Sequence, residues 1–142
     1  MPEIRPPRVV ADANVLVSAI LQPQGAPGRI LHAWRDGAIE LVVCPALLRE
    51  LSDVLARKRL RERVSAQEAE ALVSLLRQQA ELRADPIFEP GLTRDPKDDY
   101  IVALALATRA ACVVSGDEDL LAPRQSEPPV YRPADFLAWL RR

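Results

Sequence analysis

The chain has 142 residues, of which 49% are hydrophobic and 27% charged, the balance of one globular domain (residues 1–142, core about 8–139) and not of a disordered chain. Its net charge of −1 excludes binding to nucleic acid through overall basicity, so any such contact must be local. No apolar run approaches the roughly 18–20 residues that a bilayer span needs, and the opening MPEIRPPR has no apolar signal core, which together predict a cytoplasmic protein without membrane attachment.

In chain order, a proline-rich lead gives way to a short strand over Arg8–Ala11, where Val9 and Val10 are β-branched, leaving Asp12 at its carboxyl end. Ala13–Leu21 has helical composition, QPQGAPG reads as a loop, and Arg29–Asp36 is helical again before a stop at Gly37. A second strand is expected over Glu40–Cys44. Pro45 then suits the first position of a helix running through ALLRELSDVLARK, with Leu47, Leu48, Leu51, Val54 and Leu55 at helical spacing. Ser65 with Glu68 matches a capping box opening a further helix. A short third strand is expected near Glu81–Ala84, and Pro86–Pro96 reads as a loop. The next helix, from about Lys97 to Arg109, contains YIVALALA and must be buried. Ala111–Ser115 is the clearest strand, ending at Gly116 and Asp117. Val130 and Tyr131 form a fifth before the amphipathic end PADFLAWL.

Strands alternating with helices predict an α/β fold, a parallel sheet of four to five strands covered by helices on both faces in three layers, α/β/α. In such sheets ligands bind at the carboxyl ends of the strands, which places Asp12 and Asp117 in the expected site. Cys44 and Cys112, inside LVVC and ACVV, read as small buried hydrophobes and not as a disulfide. His32, in ILHAW, reads as a packed or surface side chain and not as a ligand.

Acids follow or interrupt apolar sequence at four places: Asp12 after RVVA, Glu50 within ALLREL, the group Asp95, Asp98 and Asp99 before YIVALALA, and Asp117 with Asp119 after CVVSG. Carboxylates converging at the end of a sheet repel when partly desolvated, so the pattern makes sense chiefly if a cation gathers them. Ligation by oxygen alone, without paired histidine or cysteine, points to Mg²⁺ or Mn²⁺ and away from zinc. Such a site activates water for phosphodiester cleavage without a protein nucleophile. Each acid also has a plainer explanation. Asp98 or Asp99 would suit the positive end of a helix dipole, Asp117 a turn or cap, and Glu50 a solvated pair with Arg49. Asn14 and Ser115 are candidates to orient a carboxylate or a bound water, although Asn14 equally suits a helix cap. The basic stretch from Arg57 through Lys58 and Arg59 to Arg63 could touch RNA phosphates or an acidic partner segment, or simply be a solvated helix face. With no fixed cation evident near the acids, neutralising Asp12 or Asp98 is expected to leave the metal-free fold at least as stable.

VVADANVLVSAIL, LLRELSDVL, RDPKDDYIVALALA and CVVSGDEDLL resemble, in order, the four motif blocks of PIN-domain proteins, a likeness running from about Arg8 to Trp139. RDPKDDYIVALALA is especially similar to the compact prokaryotic VapC-like toxins. The resemblance implies strand order 3-2-1-4-5, an Mg²⁺ or Mn²⁺ site, endoribonuclease activity, and a homodimer neutralised by a small antitoxin. It matches Asp12, Glu50, Asp98 and Asp117 to the family's catalytic, metal-binding acids. Asp98 is preferred to Asp99 as the helix-opening acid. Asp119 is a further metal ligand, Asp95 and Asp99 are helpers, and Ser115 stands where the family often has threonine.

Two other functions compete. A phosphotransferase of the haloacid dehalogenase type also places an acid after its first strand, but needs a second acid two residues on, where this chain has Asn14. A PIN-like module that binds RNA or protein without cutting would not be expected to keep the full acid set.

Overall fold

The computed structural model describes residues 5–121 and 127–141. Five strands, β1 (Arg8–Ala11), β2 (Glu40–Val43), β3 (Glu81–Leu82), β4 (Cys112–Val114) and β5 (Val130–Tyr131), form one sheet of order β3-β2-β1-β4-β5. Every neighbouring pair is parallel. Val9, Val10, Val113 and Val114 are fully buried, as expected for central strands covered on both faces.

The helices are α1 (Ala13–Leu21), α2 (Ala26–Arg35), α3 (Pro45–Leu55), α4 (Lys58–Arg61), α5 (Ala66–Gln79), α6 (Asp99–Thr108), α7 (Glu118–Leu121) and α8 (Pro133–Leu140), with a 3-10 turn at Pro96–Asp98 ahead of α6. α6 lies against β1 and β4, and Ile101 through Ala105 are all buried, which is why its sequence is apolar all round. α1 packs on α2 and α3, α3 on α5, and α2 on α8, completing the three layers of an α/β/α fold. The capping box is present as expected: Ser65 Oγ accepts from the amide of Glu68, and Glu68 Oε1 accepts from the amide of Ser65.

Three helix boundaries differ from the sequence expectation. α2 starts at Ala26, inside the stretch QPQGAPG, because Pro27 is tolerated in the first turn of a helix. Gly28 is required there: a Cβ on it would lie 2.1 Å from the carbonyl oxygen of Pro23. α3 stops at Leu55 and does not reach Lys58. The next positions of its apolar stripe would be Lys58 and Glu62, so continuing the helix would drive charge into the core. Instead Arg57 turns extended and α4 follows as a separate turn. α6 begins at Asp99 and not at Lys97, the residues before it forming the 3-10 turn opened by Asp95, whose side chain accepts from the amide of Lys97.

β1 and β4 are adjacent and end level, Ala11 pairing with Val114. The amide of Asp12 donates to the carbonyl of Val114. The residues just beyond these two strands therefore emerge side by side at the carboxyl edge of the sheet.

Candidate active site

Asp12 is buried and holds two donors. Its Oδ1 accepts from the amide of Val15 at 2.9 Å, capping α1, and its Oδ2 accepts from the Ser115 hydroxyl. The cap of α1 is thus Asp12 and not Asn14, which is exposed on the first turn and lines a small groove with Ser18, Gly116 and Pro133. Burial raises the pKa of Asp12, an effect that the Ser115 and Val15 hydrogen bonds oppose and the nearby charges of Glu50 and Asp117 reinforce. Neutralising Asp12 would remove repulsion but also weaken a helix cap and a buried hydrogen bond, so the expectation of an unharmed fold survives only for Asp98.

Ser115 is fully buried, and its Oγ also accepts from the amide of Asp117. Asp117 in turn accepts from the amide of Asp119 at the start of α7. One hydroxyl therefore ties the end of β1 to the turn after β4, and Asp117 acts as a turn residue while still facing the other acids.

Asp98 reaches the cluster from the 3-10 turn. Its pKa is pushed up to about 7, first by burial, then by the charges of Asp117 and Asp95 and by a hydrogen bond between the Asp98 and Asp117 carboxyls, with a smaller contribution from the charge of Asp12. Its Oδ2 is buried without a hydrogen-bond partner among the described residues. A buried carboxylate oxygen left without a donor is costly unless something positive meets it. Asp95, Asp98 and Asp119 each offer a carboxylate oxygen, and these lie within 4.8 Å of one another. Oxygens about 2.0–2.1 Å from Mg²⁺ can lie at most about 4.2 Å apart, so the three need close by no more than a few tenths of an ångström to share such an ion, and an all-oxygen donor set with an orphaned acceptor suits Mg²⁺ or Mn²⁺.

Glu50, half-buried on α3, is near enough to Asp12 for its charge to help raise that carboxyl, but like Asp12 and Asp117 it is not among the acids whose oxygens converge within 4.8 Å. It does not pair with Arg49, which is 3.5 Å from Asp85; its Oε1 accepts instead from the hydroxyl of Tyr100. The phenol is driven well above its usual range by burial and by Glu50, so it stays a donor.

Asp99 stands apart from its neighbour. It is 1% exposed, and its carboxylate accepts from the amides of Gly91 and Thr93 and from the Thr93 hydroxyl. Burial raises its pKa but these donors outweigh it, leaving the group lowered. Asp99 therefore anchors the loop before the 3-10 turn and is not free to help at a metal, a correction to the expectation from sequence. A second correction concerns charge: Arg94 lies 3.5 Å from Asp119, so a cation does border the acids. Arg57, Lys58 and Arg59 are exposed, and Arg59 shares a groove with Leu21, the last residue of α1, about one helix length from Asp12. His32 is exposed on α2, and Cys44 and Cys112 are free and buried, as expected.

Tyr100, Thr93, Arg94 and Asp85 were not singled out by sequence. Tyr100 carried a signal, the one polar-tipped aromatic in an apolar helix; the others lie in irregular segments without periodicity.

Residues 8–119 match the sequence profile of the PIN domain. The chain belongs to the PIN-domain family. This PIN domain is 26% identical over 117 residues to uncharacterized protein MJ1680 of Methanocaldococcus jannaschii, covering 82% of this chain and 75% of the other. Among solved structures it resembles PAE2754 from Pyrobaculum aerophilum, with TM-score 0.65 and 16% identity over 94% of this chain and 89% of that one. It also resembles VapBC2 from Rickettsia felis, solved bound to a DNA fragment from their promoter, with TM-score 0.57, 12% identity, and coverage of 87% and 96%. At these identities the structural likeness is one of fold, and it agrees with the strand order expected from the sequence.

Proposed function

We propose that this PIN domain is a metal-dependent endoribonuclease, the toxin half of a toxin-antitoxin pair acting in the cytoplasm as a homodimer restrained by a small antitoxin. The observation that carries the chemistry is the buried Oδ2 of Asp98, without a hydrogen-bond partner among the described residues, in a carboxyl that feels the charges of Asp117, Asp95 and Asp12 and lies with Asp95 and Asp119. Asp12, Glu50, Asp98 and Asp117, with Asp119, would hold Mg²⁺ or Mn²⁺, which supplies a Lewis acid for the phosphate and an acidified water. Ser115 fixes Asp12, the amide of Asp119 fixes Asp117, and Asp99 fixes the loop that delivers Asp95 and Asp98. No side chain of the site is called on as a nucleophile, and the cysteines are buried with thiols pushed up to about 11 and about 12, while His32 is an exposed residue of α2. Arg94, on the rim, and the exposed Arg57, Lys58 and Arg59 are the cations available to RNA phosphates or to an acidic segment of the antitoxin.

The test is cleavage of a panel of structured and unstructured RNAs by purified, antitoxin-free protein in Mg²⁺, in Mn²⁺ and in chelator, with Asp98→Asn as control. Metal-dependent cutting lost in the variant is expected. Intact RNA in both metals would overturn the proposal in favour of a non-cutting binding module, and trapping of an acyl phosphate on Asp12 would overturn it in favour of a phosphotransferase.

A further inference from the structure

The carboxylates of the cluster differ in how they are held. Asp12 and Asp117 are short side chains fixed by hydrogen bonds from their own segments, Asp12 by Val15 and Ser115 and Asp117 by the amide of Asp119. Glu50 is longer, with one more rotatable bond, and projects from the second turn of α3 between the core residues Leu47 and Leu51. Its sequence neighbour Arg49 is engaged by Asp85, itself fixed to the start of α3 by accepting from the amide of Ala46, so Arg49 is directed away from Glu50. What reaches Glu50 is the Tyr100 hydroxyl, across 50 residues of sequence, donated to Oε1. Tyr100 is the second residue of α6, two residues beyond Asp98, and its neighbour Ile101 is buried in the core, so the phenol is presented from a rigid base.

Resting on the proposal that the acids form a metal centre, we infer that Tyr100 is a positioning residue that clamps Glu50, occupying Oε1 and leaving Oε2 as the one oxygen presented to a divalent cation. The same contact ties α3 to the start of α6, so that Glu50 and Asp98 are placed relative to one another through a single hydroxyl. A ligating carboxylate whose free oxygen accepts such a bond is oriented before the ion arrives, and loss of an outer partner of this kind typically costs about 10- to 100-fold in metal affinity or activity.

The experiment is a Mn²⁺ titration, followed by calorimetry and by the paramagnetic resonance of free Mn²⁺, on wild type, Tyr100→Phe, Glu50→Gln and the double variant, with RNA cleavage in parallel. Tyr100→Phe keeps the ring and removes only the donor. It is expected to weaken Mn²⁺ binding about 10- to 100-fold and to lower kcat with little change in KM for RNA. In the Glu50→Gln background it should add nothing. Glu50→Asp, which retracts the carboxylate out of reach of the phenol while keeping its charge, should lose Mn²⁺ affinity to a similar degree and serves if Tyr100→Phe fails to fold. Wild-type Mn²⁺ affinity in Tyr100→Phe or in Glu50→Asp, or an equal loss from Tyr100→Phe whether or not Glu50 is present, overturns the inference while leaving the metal centre standing. A wild-type protein that binds no Mn²⁺ overturns the metal centre itself.

Discussion

Ser115 gives its hydroxyl proton to Asp12 across 103 residues of sequence, and the same oxygen receives the amide of Asp117. Ser115→Ala removes both contacts at a fully buried position and leaves Asp12 Oδ2 and one amide without partners. A hydrogen bond to a charged group contributes about 1.5–3 kcal/mol, so urea denaturation of the variant should show a loss in that range. Cleavage should fall at least tenfold, as for other outer partners of a ligand, whereas Ser115→Thr, which keeps the hydroxyl, should retain most activity. A fully active, equally stable Ser115→Ala would mean that Asp12 needs no such support.

Asp98→Asn tests the electrostatics of the cluster in the absence of metal. The folded pKa of Asp98, about 7, lies above the ordinary 3.8, so the native state holds this proton more tightly than the unfolded chain. Between about pH 4 and pH 7 that difference makes metal-free wild type lose stability as pH rises, by linkage. The variant should lack this component and melt at least as high as wild type at neutral pH in chelator, with the two curves converging towards pH 4. A sharp fall in its melting temperature would show that the carboxylate supports the fold.

Asp99→Asn should do the opposite, although it alters the adjacent residue. Its carboxylate accepts from Gly91 and Thr93 in a buried setting, and losing the ion there should cost on the order of 3 kcal/mol in chemical denaturation. Because the folded pKa of Asp99 is lowered, its contribution is present above the unfolded value of 3.8 and disappears as pH falls through the folded one. The acid limb of the wild-type stability profile should therefore flatten in Asp99→Asn and persist in Asp98→Asn.

Divalent metal should raise the melting temperature of the wild type in chelator-treated buffer. A ligand at 100 times its Kd that binds only the native state stabilises by about 2.7 kcal/mol, and that increment should vanish in Asp98→Asn. Calorimetric scans with and without Mn²⁺ check this, and equal shifts in both proteins would place the ion elsewhere.

The strands and the buried helix were legible because burial on both faces writes itself as continuous apolar runs: RVVA, CVVSG and YIVALALA could hardly be anything else. Helix ends were harder, since α3 stops where its stripe would turn charged and α2 starts at a proline that also reads as loop. In the acidic cluster, position relative to strands was enough to pick out Asp12 and Asp117. Adjacent Asp98 and Asp99 were ranked through the family resemblance alone; that Asp99 holds a loop, and so cannot serve as a helper, leaves no periodic trace. Tyr100 carried a signal as a polar-tipped aromatic, but its contact carried none, because it joins two helices whose relative placement only the assembled sheet decides.

β1 lies in the middle of the sheet, and the acids considered around it run from Asp12 to Asp119. A growing polypeptide that has reached Asp12 still lacks β4, its Ser115 tether and Asp117, because Ser115 lies 103 residues further on. Whatever chemistry depends on these groups therefore needs both ends of that span, and no fragment that stops short of β4 could carry it out.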